Sequence, residues 1–425
     1  MAWPRLFPVV LVGLLLVSLP ARAEEKPNVV LIVADDQGWT DFGFMNHEVV
    51  QTPNLDQLAG ESAVFANGYV PTSLCRASLA TLLTGQFAHQ HRICCNDPPD
   101  GMDRAKMHPF IQKAPALPRL LGSAGYVSLQ TGKFWEGHYA NAGFTSGMTV
   151  KGRHGDEGLA IGRKTMKPIE DFLAKEKGKP FFLWYAPMMP HEPHDPPRTL
   201  LKKYAAANRP IKLARYYAMI EWFDETVGAL MNILDKNDRT TNTIVVFVVD
   251  NGWIQETGEK QRTRGWFAPR SKLSPYDGGV RTPVLIRWPG KVKPGRHDDL
   301  VSTIDIAPTI LQACGVKVPE EMQGVNLLPA AEGKEPLSRK AVFGEIFEHT
   351  ARDVNRPSVN LTHRWVRQGA WKLILPVKGQ PELYDLAKDP FEKNNLGPRN
   401  PKQVKILTAA IDGWWRGRDE EPSKE

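Results

Sequence analysis

The chain has 425 residues, of which 42% are hydrophobic and 24% charged, a composition typical of a globular protein with roughly two domains. The formal net charge of +7 favours anionic ligands over cationic ones. Because no basic run is interleaved with aromatic residues, nucleic acid is not expected as a partner.

Residues 1–23 have the pattern of a secretion signal that is removed from the mature protein. Arg5 precedes an apolar run over residues 6–19, and Ala21-Arg22-Ala23 supplies small residues at the spacing of a cleavage site. The run is shorter than the roughly 20 residues that a membrane helix needs. We therefore predict an exported protein, periplasmic or secreted, without a membrane span. The four cysteines form no even framework, so we expect one disulfide at most.

Four short apolar runs predict the strands of a mostly parallel sheet covered by helices, because each run is bounded by polar residues and separated from the next by helical patterns. The longest helix is predicted near residues 214–235, where apolar residues recur at intervals of three and four. The four runs cover residues 28–34, 126–130, 180–185 and 243–249.

The pattern changes after about residue 335. We predict a larger α/β domain over residues 24–335 and a C-terminal subdomain over residues 336–425. The subdomain combines a small antiparallel sheet with one helix. Its strands are predicted within residues 341–347, 364–375 and 382–385, and its helix within residues 403–415.

Carboxylate and amide side chains follow two of the predicted strands. Asp35 and Asp36 come directly after the first strand, and Asp250 and Asn251 follow the fourth. Ligands bind at the carboxyl ends of parallel strands, and buried carboxylates there need a compensating charge. Each residue alone also suits a turn or a cap. Together the four oxygen donors favour a hard cation, Ca²⁺ or alternatively Mg²⁺, over zinc or copper.

Cys75 stands at the start of a predicted helix that ends at Gly85. A cysteine at a helix N-terminus faces free amide donors and the positive end of the helix dipole, which suits a reactive sulfur and a bound anion. A lone cysteine is more often a packing residue. The residue pattern by itself leaves both interpretations open.

The stretch from Cys75 to Gly85 resembles the signature of the type I, formylglycine-dependent sulfatases of the alkaline-phosphatase-like superfamily. That signature reads Cys, any residue, Pro or Ala, Ser and Arg, with a Leu-Thr-Gly ending. Leu79 stands where the signature has its arginine, and Arg76 occupies the variable position. The matching positions are Cys75, Ala77, Ser78, Thr84 and Gly85.

Further motifs extend the resemblance over most of the mature chain. They resemble the opening strand with its metal aspartates, the second metal pair, two segments that carry active-site lysines, and the closing hairpin. The lysines at the matching positions are Lys133 and Lys272. The corresponding segments are residues 28–38, 250–252, 117–133, 272–283 and 382–392.

The histidines depart from the family pattern at one position. Trp135 stands where the family has a histidine shortly after its lysine, and His138 lies three residues further on. His191, within Pro190-His191-Glu192-Pro193, resembles the other histidine of the family.

The resemblance implies an exported enzyme that hydrolyses sulfate monoesters. It also implies that a separate converting enzyme turns Cys75 into formylglycine, whose hydrate attacks sulfur. A divalent metal then lies beside this residue. The implied metal ligands are Asp35, Asp36, Cys75, Asp250 and Asn251.

The remaining roles also follow from the resemblance. Lys133, Lys272 and Arg76 are expected to stabilise charge on the sulfuryl oxygens. His191 is expected to act as the general acid on the leaving oxygen, and His138 as the base that helps to expel sulfate.

The expected substrate is a sulfated carbohydrate or an aryl sulfate. Aromatic and arginine side chains near the motifs are placed to stack on or grip a sugar. Three alternatives stay open: a phosphoester or phosphonate hydrolase of the same superfamily, a non-catalytic relative that binds sulfated glycans, and an unrelated exported binding module. The stacking candidates are Trp135, Trp253, Arg262, Arg264 and Trp266.

Overall fold

The computed structural model describes Met1 and residues 25–206, 208–252 and 270–419. The predicted signal sequence after Met1 lies outside the described residues, and so do Trp253, Arg262, Arg264 and Trp266. In the described part of the chain, every helix is either too short or too polar to span a lipid bilayer.

Eight strands of the described chain form one central sheet. They are β1 (Asn28–Ala34), β2 (Ala63–Tyr69), β3 (Val127–Gly132), β4 (Ser146–Gly147), β5 (Phe181–Ala186), β6 (Thr243–Val249), β7 (Arg281–Arg287) and β8 (Gly295–Ser302). Their order across the sheet is β4-β3-β5-β1-β6-β7-β2-β8. All neighbours are parallel except at β7, which runs antiparallel to both β6 and β2. The predicted mostly parallel α/β sheet is confirmed.

Helices cover both faces of this sheet, and β1 shows why. All of its residues are buried, with Val29 and Leu31 packed into one hydrophobic layer and Val30 and Ile32 into the other. The first layer includes the helices Cys75–Thr84, Leu117–Ser123 and Ile306–Ala313, and the second includes the helices Pro53–Gly60, Lys167–Lys175 and Ile211–Lys236. The α-helices of the described residues are α1 (Pro53–Gly60), α2 (Cys75–Thr84), α3 (Ala88–His91), α4 (Pro109–Lys113), α5 (Leu117–Ser123), α6 (Lys167–Lys175), α7 (Arg198–Tyr204), α8 (Ile211–Lys236), α9 (Asp277–Val280), α10 (Ile306–Ala313), α11 (Leu328–Ala331), α12 (Pro357–Asn360) and α13 (Pro401–Trp414).

A second, antiparallel sheet follows near the C-terminus, as the sequence predicts. The run predicted over residues 364–375 is in fact two strands, because Gly369 turns the chain with a φ of +58°. Leu407 and Ile411 of α13 pack against this sheet. Its strands are β9 (Ala341–Phe347), β10 (Leu361–Gln368), β11 (Trp371–Pro376) and β12 (Glu382–Asp385), in the order β12-β11-β10-β9.

All four cysteines are buried free thiols, so this structure contains no disulfide among its described residues. They are Cys75, Cys94, Cys95 and Cys314.

Candidate active site

The ends of β1 and β6 bring the four predicted oxygen donors together. The two strands are neighbours and Ala34 pairs with Val249, so the residues that follow them share one edge of the sheet. The backbone N–H of Asp36 donates to Oδ1 of Asp250 at 3.0 Å. Asp36 also has a φ of +59°, a left-handed conformation that costs a non-glycine residue about 1–3 kcal/mol and is concentrated at functional sites.

The end of β3 delivers Lys133 to the same place. Gly132 has a φ of +75°, and a Cβ there would lie 1.8 Å from the carbonyl oxygen of Ala186. Only glycine permits this approach, which lets the N–H of Lys133 donate to that carbonyl at 2.6 Å. Nζ of Lys133 then lies 2.5 Å from Oδ1 of Asp35 and 3.5 Å from Oδ2 of Asp250.

Four further groups contact the carboxylate of Asp36. Nζ of Lys272 lies 2.6 and 2.7 Å from its two oxygens, and Nδ2 of Asn251 donates to Oδ1 at 2.5 Å. Nε2 of His191 is 3.4 Å from Oδ2. Sγ of Cys75, at the first residue of the fully buried α2, is 3.8 Å from Oδ1. The structure therefore brings these predicted site residues within contact of one carboxylate.

Burial removes water from the charged groups of this cluster and therefore shifts their pKa values against ionisation, while their neighbours oppose or add to that shift. Burial alone would raise the pKa of Asp36, but the charges of Lys272 and its neighbours hold that pKa below its usual value. Burial, followed by repulsion from Asp35, raises the pKa of Asp250 well above the ordinary range. Burial opposes the charge of Lys133, yet the Asp35 carboxylate and other anions raise its pKa. Both lysines thus stay protonated, while Asp250 lacks sufficient positive charge.

The residues present fit a hard cation. Within this cluster three buried oxygens accept no hydrogen bond from the described residues: Oδ2 of Asp35, Oδ1 of Asn251 and Oδ2 of Asp250, which has only the ion-pair contact with Lys133 at 3.5 Å. Such atoms are costly unless an ion or a water compensates them. The residues whose potential ligand atoms all lie within 4.8 Å of one another are Asp35, Asp36, Cys75 and His191. We call Asp35, Asp36, Asp250 and Asn251 the cation cradle.

A pocket of about 170 Å³ leads to the cradle. Cys75 lines this pocket with only 1% of its surface exposed. The described residues that line the pocket are Asp36, Cys75, Asn96, Trp135, Arg153, His154, His191, Glu192, Lys272 and His349.

Arg76 does not reach this pocket, contrary to the sequence expectation. Its Nε and Nη2 both donate to the carboxylate of Glu136 at 2.7 Å, and the other contacts of its guanidinium are the carbonyls of Cys95 and Met107. The side chain leaves the helix start away from Cys75 because the variable position of the signature lies on another side of α2. Its charge is neutralised within the protein interior.

His138 does not reach the pocket either. It is exposed and caps a 3₁₀ turn, with Nδ1 accepting from the N–H of Ala140 at 3.1 Å. Trp135 fills the position of the missing family histidine, and its ring packs edge-on against His154 with 4.5 Å between the centroids. His154 lines the pocket with its ring 5.8 Å from that of His191. The sequence reasoning missed His154, which lies outside every motif.

Comparison with known proteins agrees with this geometry. Residues 27–316 match the family model described as Sulfatase, and residues 263–411 match one described as N-sulphoglucosamine sulphohydrolase, C-terminal. The chain belongs to the sulfatase family. The predicted enzyme class, a sulfuric ester hydrolase, is confirmed.

The relatives cover nearly the whole chain at low identity. An N-acetylglucosamine-6-O-sulfatase of Bacteroides thetaiotaomicron is 26% identical over 92% of this chain and 86% of its own length. Human arylsulfatase A is 27% identical over 94% of this chain and 91% of its own length. A solved phosphonate monoester hydrolase of Agrobacterium radiobacter superposes with a TM-score of 0.72 at 20% identity, covering 92% of this chain and 95% of that one. This last likeness concerns the fold alone.

Proposed function

We propose that this chain is an exported sulfatase that releases sulfate from a sulfated carbohydrate, with formylglycine formed from Cys75 and a divalent cation, Ca²⁺, in the cradle. The observation that supports it most is the convergence of Cys75, Lys133, Lys272 and His191 on the cradle carboxylates. The rival chemistry, phosphoester or phosphonate hydrolysis, shares the fold, so the reaction itself has to separate the two.

The cation cradle would hold the metal through its carboxylate and amide oxygens. When bound, the cation supplies positive charge that stabilises anionic oxygens beside Cys75. The three oxygens without a hydrogen bond and the raised pKa of Asp250, caused by burial and by Asp35, both favour a cation at this place. Oxygen donors of this kind suit Ca²⁺ or Mg²⁺.

Formylglycine at residue 75 would supply the nucleophilic hydroxyl of the reaction. A converting enzyme would have to recognise the local sequence around Cys75, and the departure from the family signature at Leu79 affects that step. In the folded protein Leu79 is 4% exposed and packs into the layer of helices that covers the sheet. Its side chain thus has a packing role in place of the charge that the family arginine carries.

Lys133 and Lys272 would bind the sulfuryl oxygens. Both ammonium groups are nearly fully buried and are held at short distances from Asp35 and Asp36. Fixed charges in a dry site stabilise developing negative charge more than the same charges do in water, and they need no reorganisation during the reaction.

His191 would protonate the leaving oxygen through Nε2. Its Nδ1 lies 2.6 Å from the carbonyl oxygen of Glu192, which can only accept, so Nδ1 carries a proton. The second ring nitrogen, Nε2, is therefore the one that gains and loses a proton. The carboxylate of Asp36 lies 3.4 Å from Nε2. Its negative charge stabilises the protonated ring before the proton is transferred to the leaving oxygen.

The substrate class is proposed from the relatives and the pocket. One relative is named for 6-O-sulfated N-acetylglucosamine, and Trp135 and Arg153 line the pocket beside Cys75. Export, periplasmic or secreted, is proposed from the pattern of residues 1–23.

The test is release of inorganic sulfate from a panel of sulfated saccharides and aryl sulfates, with matched phosphate esters and phosphonates included. Sulfate release that exceeds phosphate release, and that is lost in Cys75→Ala, is the expected result. Mass spectrometry of the tryptic peptide that contains Cys75, from protein made in its own host, should show the aldehyde. An intact thiol in protein that still releases sulfate would refute the formylglycine mechanism, and an intact thiol in inactive protein would favour the non-catalytic relative.

A further inference from the structure

Arg153 lines the pocket that contains Cys75 but takes no part in the cation cradle. Its side chain is 40% exposed, whereas that of the internally paired Arg76 is 1% exposed. The guanidinium carbon lies 4.6 Å from the centre of the Trp135 ring, so the arginine is supported by the indole. Arg153 is therefore a positive charge held in position at an open wall of the pocket.

Arg153 has more N–H donors than the hydrogen bonds that it makes to the described residues. Nε and Nη2 donate to the two oxygens of Asp97 at 2.7 and 2.6 Å, and Nη1 lies 2.7 Å from Nε2 of His154. Arginine has no acceptor, so Nη1 must be the donor in that contact. Among the described residues, three bonds use three of the five N–H groups that a guanidinium carries, and one N–H remains on each of Nη1 and Nη2. Paired donors of this kind bind carboxylate and sulfate oxygens.

The charges around Asp97 are also unbalanced. Asp97 pairs with Arg104 as well as with Arg153, and its Oδ2 lies 3.5 Å from Nδ1 of His349. Two guanidinium groups thus face one carboxylate, which leaves one net positive charge before His349 is counted. A second anion at Arg153 would neutralise this excess.

This charge lies close to the proposed cleavage point. His154 separates Arg153 from His191: it accepts a hydrogen bond from the arginine, and its ring is 5.8 Å from that of His191. The pocket volume of about 170 Å³ is below the roughly 300–1,000 Å³ of sites that enclose a whole ligand. A sulfate group and part of one sugar fill such a space, so a second anion within reach of Arg153 belongs to the same sugar or to its neighbour.

We propose that Arg153 forms a second anion subsite that binds a carboxylate or a further sulfate group of the substrate without cleaving it. This rests on the proposed function, because it takes the sugar in this pocket to be the substrate. The substrate is then a glycan with at least two anionic groups. Glu192 also lines the pocket, and its carboxylate repels an anion. A second anionic group therefore increases the affinity of a ligand only where it reaches the remaining N–H donors of Arg153.

The test measures binding separately from turnover. Dissociation constants are determined by calorimetry in full-length Cys75→Ala protein with excess Ca²⁺, for two matched pairs of ligands. One pair is a sulfated hexosamine linked either to a hexuronic acid or to the corresponding neutral hexose. The other is a 6-sulfated glucosamine that is either N-sulfated or N-acetylated. The charged member of at least one pair should bind about tenfold more tightly or better, and the pair that shows it identifies a carboxylate or a sulfate as the second anion.

The Arg153→Gln variant should reduce this preference to less than about twofold, because the two-pronged contact is lost. If its thermal midpoint shows that it does not fold, Arg153→Lys keeps a charge but removes the paired donors, and should lose most of the preference. Arg352→Gln is the control, since Arg352 is 65% exposed and pairs with Glu348 outside the pocket lining.

Two results would overturn the subsite: charged and neutral ligands that bind equally to the parent protein, or a preference that survives in the Arg153 variants. The proposed function fails independently. If protein with Cys75 intact releases no sulfate while the Arg153-dependent preference is present, the subsite stands and the proposed hydrolysis does not. If sulfate is released and the preference is absent, the hydrolysis stands and the subsite does not.

Discussion

Two buried clusters of charge in this protein can be compared directly. One is the cation cradle with its two lysines. The other, which we call the joint cluster, lies between the central sheet and the second sheet. There Nζ of Lys372 is 2.8 Å from Asp277 and 2.9 Å from Glu392, and Arg281 is 3.5 Å from Asp277. The hydroxyl of Tyr69 also donates to Asp277 at 3.0 Å.

The two clusters differ in their balance of charge. In the joint cluster the cations Lys372 and Arg281 face two carboxyl groups, Asp277 and Glu392, so the chain supplies its own compensation when both are ionised. At the cradle three carboxylates face two lysines and His191, which is charged only when it is protonated. A buried cluster that compensates its own charge joins two parts of a fold, whereas a cluster with an excess of carboxylates is suited to receive a cation.

The largest expected effect comes from removing one charge at the cradle. Asp250→Asn should lower kcat/KM for sulfate release by roughly a thousandfold, because the cation loses the negatively charged carboxylate of a ligand. Without metal the variant should be at least as stable as the parent, since repulsion between Asp250 and Asp35 disappears. Activity assays and thermal midpoints in EDTA check both parts. Activity within about threefold of the parent would remove Asp250 from the metal site.

The matched change at the joint cluster is Asp277→Asn, which should reverse this pattern. It leaves Lys372 with less compensation in a fully buried place, and uncompensated buried charges cost roughly 3–5 kcal/mol. The thermal midpoint should therefore fall while kcat per folded molecule changes little. A large loss of kcat in well-folded protein would show that the joint cluster belongs to the active site.

His191→Ala should lower kcat for sugar sulfates by roughly a hundredfold or more, and for aryl sulfates by much less, because a phenolic leaving group needs less protonation than an alcohol. His138→Ala is the matched control, since that exposed histidine caps a turn away from the pocket. Equal losses on both kinds of substrate would remove His191 from the role of acid.

Binding of Ca²⁺ should affect stability only through the cradle. At a concentration of about one hundred times its Kd, the ion should stabilise the parent protein by about 2.7 kcal/mol. The thermal midpoint should rise accordingly in the parent and in Asp277→Asn, but not in Asp250→Asn. A rise of equal size in all three proteins would show that the ion binds elsewhere.

The sequence predicted four strands of the central sheet, which are β1, β3, β5 and β6. The bounds of β1 and β6 agree with their apolar runs, because strands between two layers of helices need apolar residues throughout. The strands β2, β4, β7 and β8 were not predicted. For β8 the reason is its polar sequence: it is an edge strand in which only Val301 and Ser302 are buried, so no hydrophobic pattern reveals it.

The same limit applies to the site. Asp36 and Lys133 could be placed because each follows a recognisable strand within a motif. Arg153, His154 and His349 come from loops that carry no motif, and only tertiary packing brings them into the pocket. Spacing along the chain gives no information on side-chain direction, which is why the expectations for Arg76 and His138 did not match their contacts.

The last expected effect is a gradual dependence of stability on pH, which arises in the joint cluster. Burial raises the pKa of Glu392 from 4.5 to about 7, although Lys372 acts in the opposite direction. Between these two values the folded protein holds a proton that the unfolded chain has released, so stability is full below pH 4.5 and falls as the pH rises towards 7.

Glu392→Gln cannot ionise and keeps an acceptor for the N–H of Asp277. Across this range the free energy of unfolding of the parent should fall by up to roughly 3 kcal/mol more than that of the variant, as measured by urea denaturation at a series of pH values. The exposed Glu335→Gln should keep the slope of the parent. Parallel curves for the parent and Glu392→Gln would mean that Lys372 holds Glu392 ionised throughout, and the joint cluster would then be balanced at every pH in this range.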